Sequence, residues 1–456
     1  MRSSLLGVVA IAAMGGLLFG FDVAVISGTK SALETAYRLD SFWLGFTVAA
    51  ALIGTIVGAM TTGRPSDAFG RRATLLMIAV LYFVSAMGSA LAWDWYSFVA
   101  FRFIGGIGVG GASVVSPLYI AELAPARLRG RLVAITQFNI VLGILLAYLS
   151  NYLVARCQLG ATEWRWMFGV EAFPALAFFF LLFLTPRSPR WLLSRQRVDE
   201  ARGVLERYGA DSGDVEGEIA AIQTSLALDR HSVSEPLFTK AYAKPIMLAV
   251  AIAMFNQLSG INALMYYAPT IFEMAGAGKN AALLQSVVVG ATNLVFTMIA
   301  MSIIDHFGRR KLMLVGSVGY IVSLATTAWA FYTYGAQFKN TEPAAAMSEG
   351  GLIVLIALLV FIASHAFGQG AVIWVFISEI FPNRVRARGQ ALGCFTHWFM
   401  AALVSLTFPV IAEWSGGHVF AFYAVMMVLQ LVWVLTKMPE TKGVPLEQIQ
   451  QRLGIE

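Results

Sequence analysis

The chain has 456 residues, of which 58% are hydrophobic and 13% charged, and its mean hydropathy is +0.72. A soluble domain carries about 45–50% apolar and about 25% charged residues, and a water-soluble globule of this composition could not cover its own apolar surface. A soluble enzyme, a disordered chain and a nucleic-acid binder are therefore excluded, and the net charge of +6 needs an explanation other than an anionic partner.

In chain order, Arg2 followed by an apolar stretch over 5–29 imitates a secretory signal. The stretch is too long for an h-region and contains Asp22, so it is read as a retained first span. Apolar stretches follow at 41–62, 73–93, 96–118, 131–154 and 166–185, then at 245–270, 281–304, 312–334, 351–379, 389–412 and 418–438. Each is long enough to cross a bilayer once, which takes about 20 residues. Runs of this length are helices, not the alternating segments of a membrane barrel. The expectation is an all-α integral membrane protein with twelve transmembrane helices in two pseudo-symmetric six-helix halves, 1–185 and 245–438. A cytoplasmic linker at 186–244 joins them, and a tail at 439–456 ends the chain. The linker reads as short amphipathic helices, for example Val198–Tyr208, with nine bases balanced by nine acids.

The basic residues orient the spans. With both termini in the cytoplasm, inside segments hold 25 of the 32 Lys and Arg, outside segments hold six, and Arg102 lies within a span. That bias is the inside-positive rule, and it accounts for the basic pI near 9.3. Cys157 and Cys394 give no disulfide framework. The five histidines are scattered, and no nucleophile–base set or metal-ligand cluster stands out, so neither an enzyme nor a metal or cofactor site is expected.

The halves repeat one another. Asp67-Ala-Phe-Gly-Arg-Arg follows span 2, and Asp305-His-Phe-Gly-Arg-Arg follows span 8. Glu122-Leu-Ala-Pro-Ala-Arg-Leu-Arg-Gly-Arg follows span 4, and Glu379-Ile-Phe-Pro-Asn-Arg-Val-Arg-Ala-Arg follows span 10. Parallel six-span repeats are a common plan for secondary transporters. Acids and arginines at the inner helix ends can pair across neighbouring helices and hold an inner gate in one state. The gate candidates are Asp67, Arg71, Arg72, Glu122, Arg129, Asp305, Arg309, Arg310, Glu379 and Arg386. The glycine run Gly105–Gly111 follows no strand, so it reads as close helix packing rather than a nucleotide fingerprint.

Further motifs carry a resemblance. Gly20-Phe-Asp-Val-Ala-Val-Ile-Ser-Gly28 lies in span 1 and Arg102-Phe-Ile-Gly-Gly-Ile-Gly-Val-Gly110 in span 4. Pro117-Leu-Tyr-Ile-Ala-Glu122, Glu163-Trp-Arg-Trp-Met-Phe168 and Pro186-Arg-Ser-Pro-Arg-Trp-Leu192 follow. Gln257-Leu-Ser-Gly-Ile-Asn-Ala-Leu-Met-Tyr-Tyr267 lies in span 7, and Pro439-Glu-Thr-Lys-Gly443 closes span 12. Together they resemble the sugar porter family of the major facilitator superfamily, most nearly its bacterial proton-coupled symporters. The resemblance implies the major facilitator fold, a monosaccharide or related polyol as substrate, the proton as coupling ion, no cofactor, and a monomer in the cytoplasmic membrane. There are departures. Arg187 stands where the family has Glu, Asn256-Gln257 where it has paired glutamines, and Ala371 and Ile373 where glucose carriers have prolines.

A sugar offers hydroxyls and apolar C–H faces, so its site needs amides and aromatics at mid-membrane depth. The candidates are Gln137, Asn256, Gln257, Asn262, Asn293, Trp374, His397 and Trp398, with Phe19, Tyr266 and Tyr267 flanking. Resemblance weighs most for Gln137, Gln257, Asn262, Asn293 and Trp374; an amide is usual where His397 stands, and Ile144 replaces a second glutamine. Ser259-Gly260 is expected to break span 7. Read alone, a lone amide is helix-to-helix glue, worth about 0.6–2 kcal/mol. Asp22, Arg102 and Glu171 are the charges deep within spans, a costly placement that points to function. In the family, the span-1 Asp implies proton acceptance with the span-4 Arg as partner, whereas facilitative relatives have Asn. The expected function is proton–sugar symport; facilitated uniport and a non-transporting sugar sensor are the alternatives.

Overall fold

The computed structural model describes residues 3–125, 128–208, 214–231, 236–340, 348–382 and 384–442, and the regular elements among them are all helices. Twelve helical stretches are long and apolar enough to cross a membrane. Spans 1 to 6 are Leu5–Gly28, Ser41–Thr61, Arg71–Ala90, Trp95–Leu123, Arg129–Arg156 and Gly160–Leu182. Spans 7 to 12 are Lys240–Met274, Lys279–Ile304, Arg309–Phe338, Glu349–Ile380, Arg386–Trp414 and Gly416–Thr436. They match the expected stretches one for one.

Local chemistry sets the helix ends. Asp94 caps span 4 by accepting from the Ser97 N–H at 2.7 Å, while Ser97 Oγ accepts from the Asp94 N–H at 3.2 Å. This is a reciprocal capping box. Gly70 and Gly308, with φ of +89° and +87°, stand immediately before spans 3 and 9. Glycine takes that backbone without strain, which is why both copies of the Asp–x–Phe–Gly–Arg–Arg segment turn at the same residue.

Three spans are interrupted. Span 6 stops at Gly169 and resumes at Ala172. Pro174 lacks an N–H and crowds the carbonyl four residues back, so Glu171 sits on a kink. Span 7 breaks at Gly260, φ +86°, between Ala243–Leu258 and Ile261–Met274. Span 10 passes through a π-helical turn at Ala366–Gly370. A π turn bends a helix without proline, so span 10 remains irregular despite Ala371 and Ile373.

The chain divides into two compact units. The first comprises Met1–Val23, Ile53–Ala147 and Arg165–Val233. Its core joins Val9, Ala12 and Leu18 of span 1 to Tyr82, Val115, Tyr119 and Phe178. A Cβ at Gly54 or Gly58 would collide with the Phe103 or Ile107 carbonyl, and one at Gly110 with the Thr55 carbonyl. The small residues thus let spans 2 and 4 touch backbone to backbone. The linker helices Pro189–Ser194, Val198–Tyr208 and Val215–His231 bury Leu192, Leu193, Ala201, Leu205 and Ile219 among themselves. Tyr208 joins the core of the unit.

The second unit comprises Ala24–Leu52, Tyr148–Trp164 and Ser234–Glu456. Leu248, Ile252, Met313, Phe376, Ile377 and Val434 form its core. The ends of spans 1 and 5 are tied into it. Asn151 Nδ2 donates to the Val25 carbonyl at 2.9 Å, and the Tyr148 hydroxyl donates to the Met265 carbonyl at 2.6 Å.

Candidate functional site

Spans 1, 4 and 6 bring the three predicted charges of the first unit to one buried place. Asp22, Arg102 and Glu171 are each 1% exposed. Arg102 Nη1 donates to Asp22 Oδ1 at 2.6 Å, and Nη2 reaches the Asp22 carbonyl at 3.1 Å and Oδ2 at 3.4 Å. The guanidinium lies 5.3 Å from the Phe168 ring centroid. Arg102 Nε and both Glu171 carboxyl oxygens have no hydrogen-bond partner among the described residues. Glu171 interacts electrostatically with both Asp22 and Arg102. A Cβ on Gly105 would collide with the Ser85 side chain and come within 3.3 Å of Asp22 Oδ1, so the glycine makes room chiefly for Ser85, which packs beside the carboxylate. One cation here faces two carboxyls. An isolated buried charge is very unfavourable, so charge balance favours a stored proton on one of the two acids.

In the second unit the amides of span 7 meet span 11. Gln257 is fully buried. Its Oε1 accepts from Asn262 Nδ2 at 2.7 Å, and its Nε2 donates to Asn256 Oδ1 at 2.9 Å. The same Nε2 lies 3.2 and 3.3 Å from the two ring nitrogens of His397. With one N–H given to Asn256, the other needs a lone pair on the imidazole. A neutral imidazole in that place offers one acceptor and one donor. The ring lies between Trp374 and Trp398, at centroid distances of 5.0 and 4.9 Å. Trp374 is 40% exposed, an open aromatic face beside a cluster of donors and acceptors. Such a surface can take hydroxyls on one side and C–H groups on the other.

Asn293 is buried and accepts from Thr297 Oγ1 at 3.4 Å. Tyr266 is buried in span 7. Gln137 and Phe19 belong to the first unit, Gln137 half-buried and Phe19 packed against its core.

Sequence reasoning missed a second polar cluster. The Tyr320 hydroxyl lies 2.6 Å from His365 Nδ1 and also interacts with Ser259, whose Oγ donates to the Asn256 carbonyl at 2.6 Å. His365 also lies within electrostatic reach of His397. Gln430 bridges Ser317 Oγ and the Gln369 amide. The available signal was a histidine and two glutamines in otherwise apolar spans; scattered spacing in the chain concealed that they meet.

The repeated motifs form matching clusters, one in each unit. Arg71 pairs with Glu122 at 2.9 Å and Asp67 at 3.0 Å, and Ser188 Oγ donates to the other Glu122 oxygen. Arg309 pairs with Glu379 at 2.9 Å, and Thr441 Oγ1 donates to the other Glu379 oxygen at 2.6 Å. The second arginine of each motif reaches the carbonyl end of a neighbouring span. Arg72 donates to the Phe183 carbonyl at 2.9 Å, and Arg310 to those of Val434 and Leu435 at 3.2 and 2.7 Å. A cation belongs at the negative end of a helix. Arg129 and Arg386 donate to the Ala121 and Phe381 carbonyls. The Asp305 side chain lies outside the described residues.

Lys30, in the short helix Lys30–Tyr37, is 2% exposed, and its Nζ lies 3.6 Å from the Tyr267 ring centroid. Nζ has no hydrogen-bond partner among the described residues. Burial holds its pKa well below 10.5, against the opposing pull of Glu273 and Glu34. The folded chain therefore binds fewer protons here than the unfolded chain, and stability rises as pH climbs from the lowered pKa towards 10.5. Lys30→Met keeps the packing and removes the buried charge. It should raise stability by about 1–4 kcal/mol, the range for replacing buried charge by apolar packing, and flatten that pH dependence. A denaturation temperature unchanged at neutral pH would show that the ring and acids already compensate the ammonium.

Twelve spans, broken helices and buried polar clusters define a membrane transporter. The chain belongs to the family of sugar (and other) transporters in the major facilitator superfamily, whose profile matches residues 8–453. It is 37% identical to the D-xylose-proton symporter of Escherichia coli, across 98% of this chain and 95% of that protein. It is 35% identical to the arabinose-proton symporter of Bacillus subtilis, across 96% and 93%. A structure of the xylose transporter XylE from E. coli, in a partially occluded inward open conformation, matches with a TM-score of 0.84 at 37% identity. The match covers 97% of this chain and 100% of that one.

Proposed function

We propose that this protein carries a monosaccharide across the membrane with a proton, by alternating access, using the halves 1–185 and 245–438. The observation that carries the reading is the buried triad: Arg102 holds Asp22 at 2.6 Å while Glu171 has no hydrogen-bond partner among the described residues. A site with one cation and two acids gains or loses a proton whenever the pairing changes, and a buried ionisable group of this kind is the usual coupling element of a transporter. Gln257, Asn262, Asn256 and His397, with Trp374 and Trp398, supply the sugar-binding chemistry; Gln137, Asn293, Tyr266 and Phe19 extend the set on the strength of the family resemblance. Both termini lie in the cytoplasm, supported by the 25 of 32 basic residues on that side, and the protein acts as a monomer. No metal or organic cofactor takes part.

The deciding experiment is uptake of labelled hexoses, pentoses and inositol into proteoliposomes, with and without an inward proton gradient. Accumulation of one sugar above its external concentration, dependent on the gradient, is the expected result. Equilibration at a rate indifferent to the gradient would make the protein a uniporter, and binding without flux a sensor.

The gate residues yield a separate expectation. Glu122 and Glu379 each bind an arginine with one oxygen and a hydroxyl with the other. Glu122→Gln with Glu379→Gln keeps the size but removes both charges, biasing the population away from the arrangement these pairs hold. Sugar counterflow should slow about tenfold, equivalent to about 1.4 kcal/mol, while equilibrium sugar affinity stays within about twofold. An unaltered counterflow rate would leave these pairs as static helix ties.

A further inference from the structure

The two repeated Asp–x–Phe–Gly–Arg–Arg turns are closed differently. In the second unit the Glu440 carboxylate accepts from the backbone N–H of Arg309 at 2.9 Å and of Arg310 at 3.1 Å, so a side chain caps the start of span 9. Glu440 belongs to the stretch Pro439-Glu440-Thr441, and the first unit has Pro186-Arg187-Ser188 in the same role. The correspondence is structural: Thr441 donates to Glu379 just as Ser188 donates to Glu122. Arg187 therefore takes the place of Glu440. A cation cannot accept an N–H, and the start of span 3 has no side-chain cap at Gly70.

What lies there instead is a cavity of about 230 Å³, lined by Gly70, Arg71, Arg72, Arg187, Ser188 and Trp191 together with the apolar Phe69, Ala73, Leu76 and Phe183. A helix start by itself would not define a site. Two further observations point to a ligand. Arg72 Nε is buried and has no hydrogen-bond partner among the described residues. And the same place in the other unit is filled by a two-oxygen anion held on the first two N–H groups of the helix. Arg71 is committed to Asp67 and Glu122. Arg187 lies over the Trp191 ring, 5.9 Å from its centroid, and pairs with no carboxylate among the described residues. First-turn N–H groups, an aligned helix dipole, the Arg187 guanidinium and the one unpartnered Arg72 N–H together favour a multivalent oxyanion.

We propose that this pocket binds a phosphate group, supplied in trans where the other unit uses its own Glu440. The phosphate comes from a soluble ion or from a lipid headgroup, and the two are separable. The purified full-length protein in phosphate-free detergent is titrated with sodium phosphate against sodium chloride of equal ionic strength, with thermal denaturation as readout. It is then reconstituted in vesicles of phosphatidylglycerol or of phosphatidylcholine. A saturable stabilisation by phosphate in detergent assigns a soluble anion; stabilisation found only in phosphatidylglycerol assigns the headgroup.

Arg187→Glu restores the intramolecular carboxylate. It should raise the denaturation temperature without added anion and weaken the anion response at least tenfold. Arg187→Gln should weaken the response without raising the baseline, and it decides the matter if the glutamate variant does not fold. Sugar binding should be the same in all three proteins, which keeps this result independent of the transport reading. A wild type indifferent to phosphate and to phosphatidylglycerol, or variants that respond as strongly as the wild type, would overturn the proposal.

Discussion

Gln257→Ala is expected to weaken monosaccharide binding roughly 5- to 150-fold, a loss of about 1–3 kcal/mol. The size follows from how many partners this one amide satisfies. Its oxygen holds Asn262, one N–H holds Asn256, and the other faces His397. Deletion leaves each of those groups either unpaired in a buried place or turned away from the sugar, and an unsatisfied buried polar group costs more than a hydrogen bond gains. The loss should be smaller for His397→Gln, which offers an amide where the ring offers one donor and one acceptor. Equilibrium binding of labelled xylose, arabinose and glucose to both purified variants is the measurement. Wild-type affinity in a well-folded Gln257→Ala protein would move the sugar site away from this cluster.

Much of the fold was legible because lipid imposes simple rules. A span must be long, apolar and helical, and its flanking arginines set its orientation. The breaks were only partly readable. Ser259-Gly260 announces itself, since a glycine next to a serine amid polar residues weakens a helix. The kink at Glu171 follows from Pro174, but only once one asks which carbonyl that proline displaces. The π turn at Ala366–Gly370 has no proline to mark it; it comes with packing, where Gln369 meets Gln430.

The candidate sites divide in the same way. Asp22, Arg102 and Glu171 could be named from sequence because charge within a span is rare. That Arg102 binds Asp22 rather than Glu171 was implied by the family resemblance and not by the charges themselves, because the choice depends on where the span-6 kink points the longer acid. His365 was passed over as one of five scattered histidines, and only the helix packing sets its ring beside Tyr320. The repeat at Pro186-Arg187-Ser188 and Pro439-Glu440-Thr441 was invisible as a repeat. Its two central residues carry opposite charge, and the shared feature is a hydroxyl reaching a glutamate.

Asp22→Asn should abolish proton-driven accumulation while sparing sugar binding and downhill exchange. The oxygen of the substituted amide would still accept from Arg102, so the local packing survives. The charge balance does not. In the wild type, one guanidinium and two carboxyls require one proton for neutrality; in the variant, Glu171 is the sole acid facing Arg102, and the site is neutral with no stored proton. The coupling is lost with the proton. Each positive charge entering gains about 2.3 kcal/mol per 100 mV of membrane potential, enough for roughly fortyfold accumulation, and none of it reaches the sugar once the triad has nothing to exchange. Glu171→Gln tests the second acid: it too leaves one carboxyl facing Arg102 and no stored proton, so by the same charge count accumulation should fall there as well, although the Asp22–Arg102 pair stays intact. Arg102→Ala should be worst of the three, since it leaves two buried carboxyls with no cation, and breaking a buried pair costs about 3–5 kcal/mol. The measurement is sugar counterflow beside gradient-driven uptake in proteoliposomes of equal protein content. If Asp22→Asn still accumulates sugar, Asp22 is not the coupling carboxylate; if Glu171→Gln alone fails to accumulate, that role belongs to Glu171, the acid with no hydrogen-bond partner among the described residues.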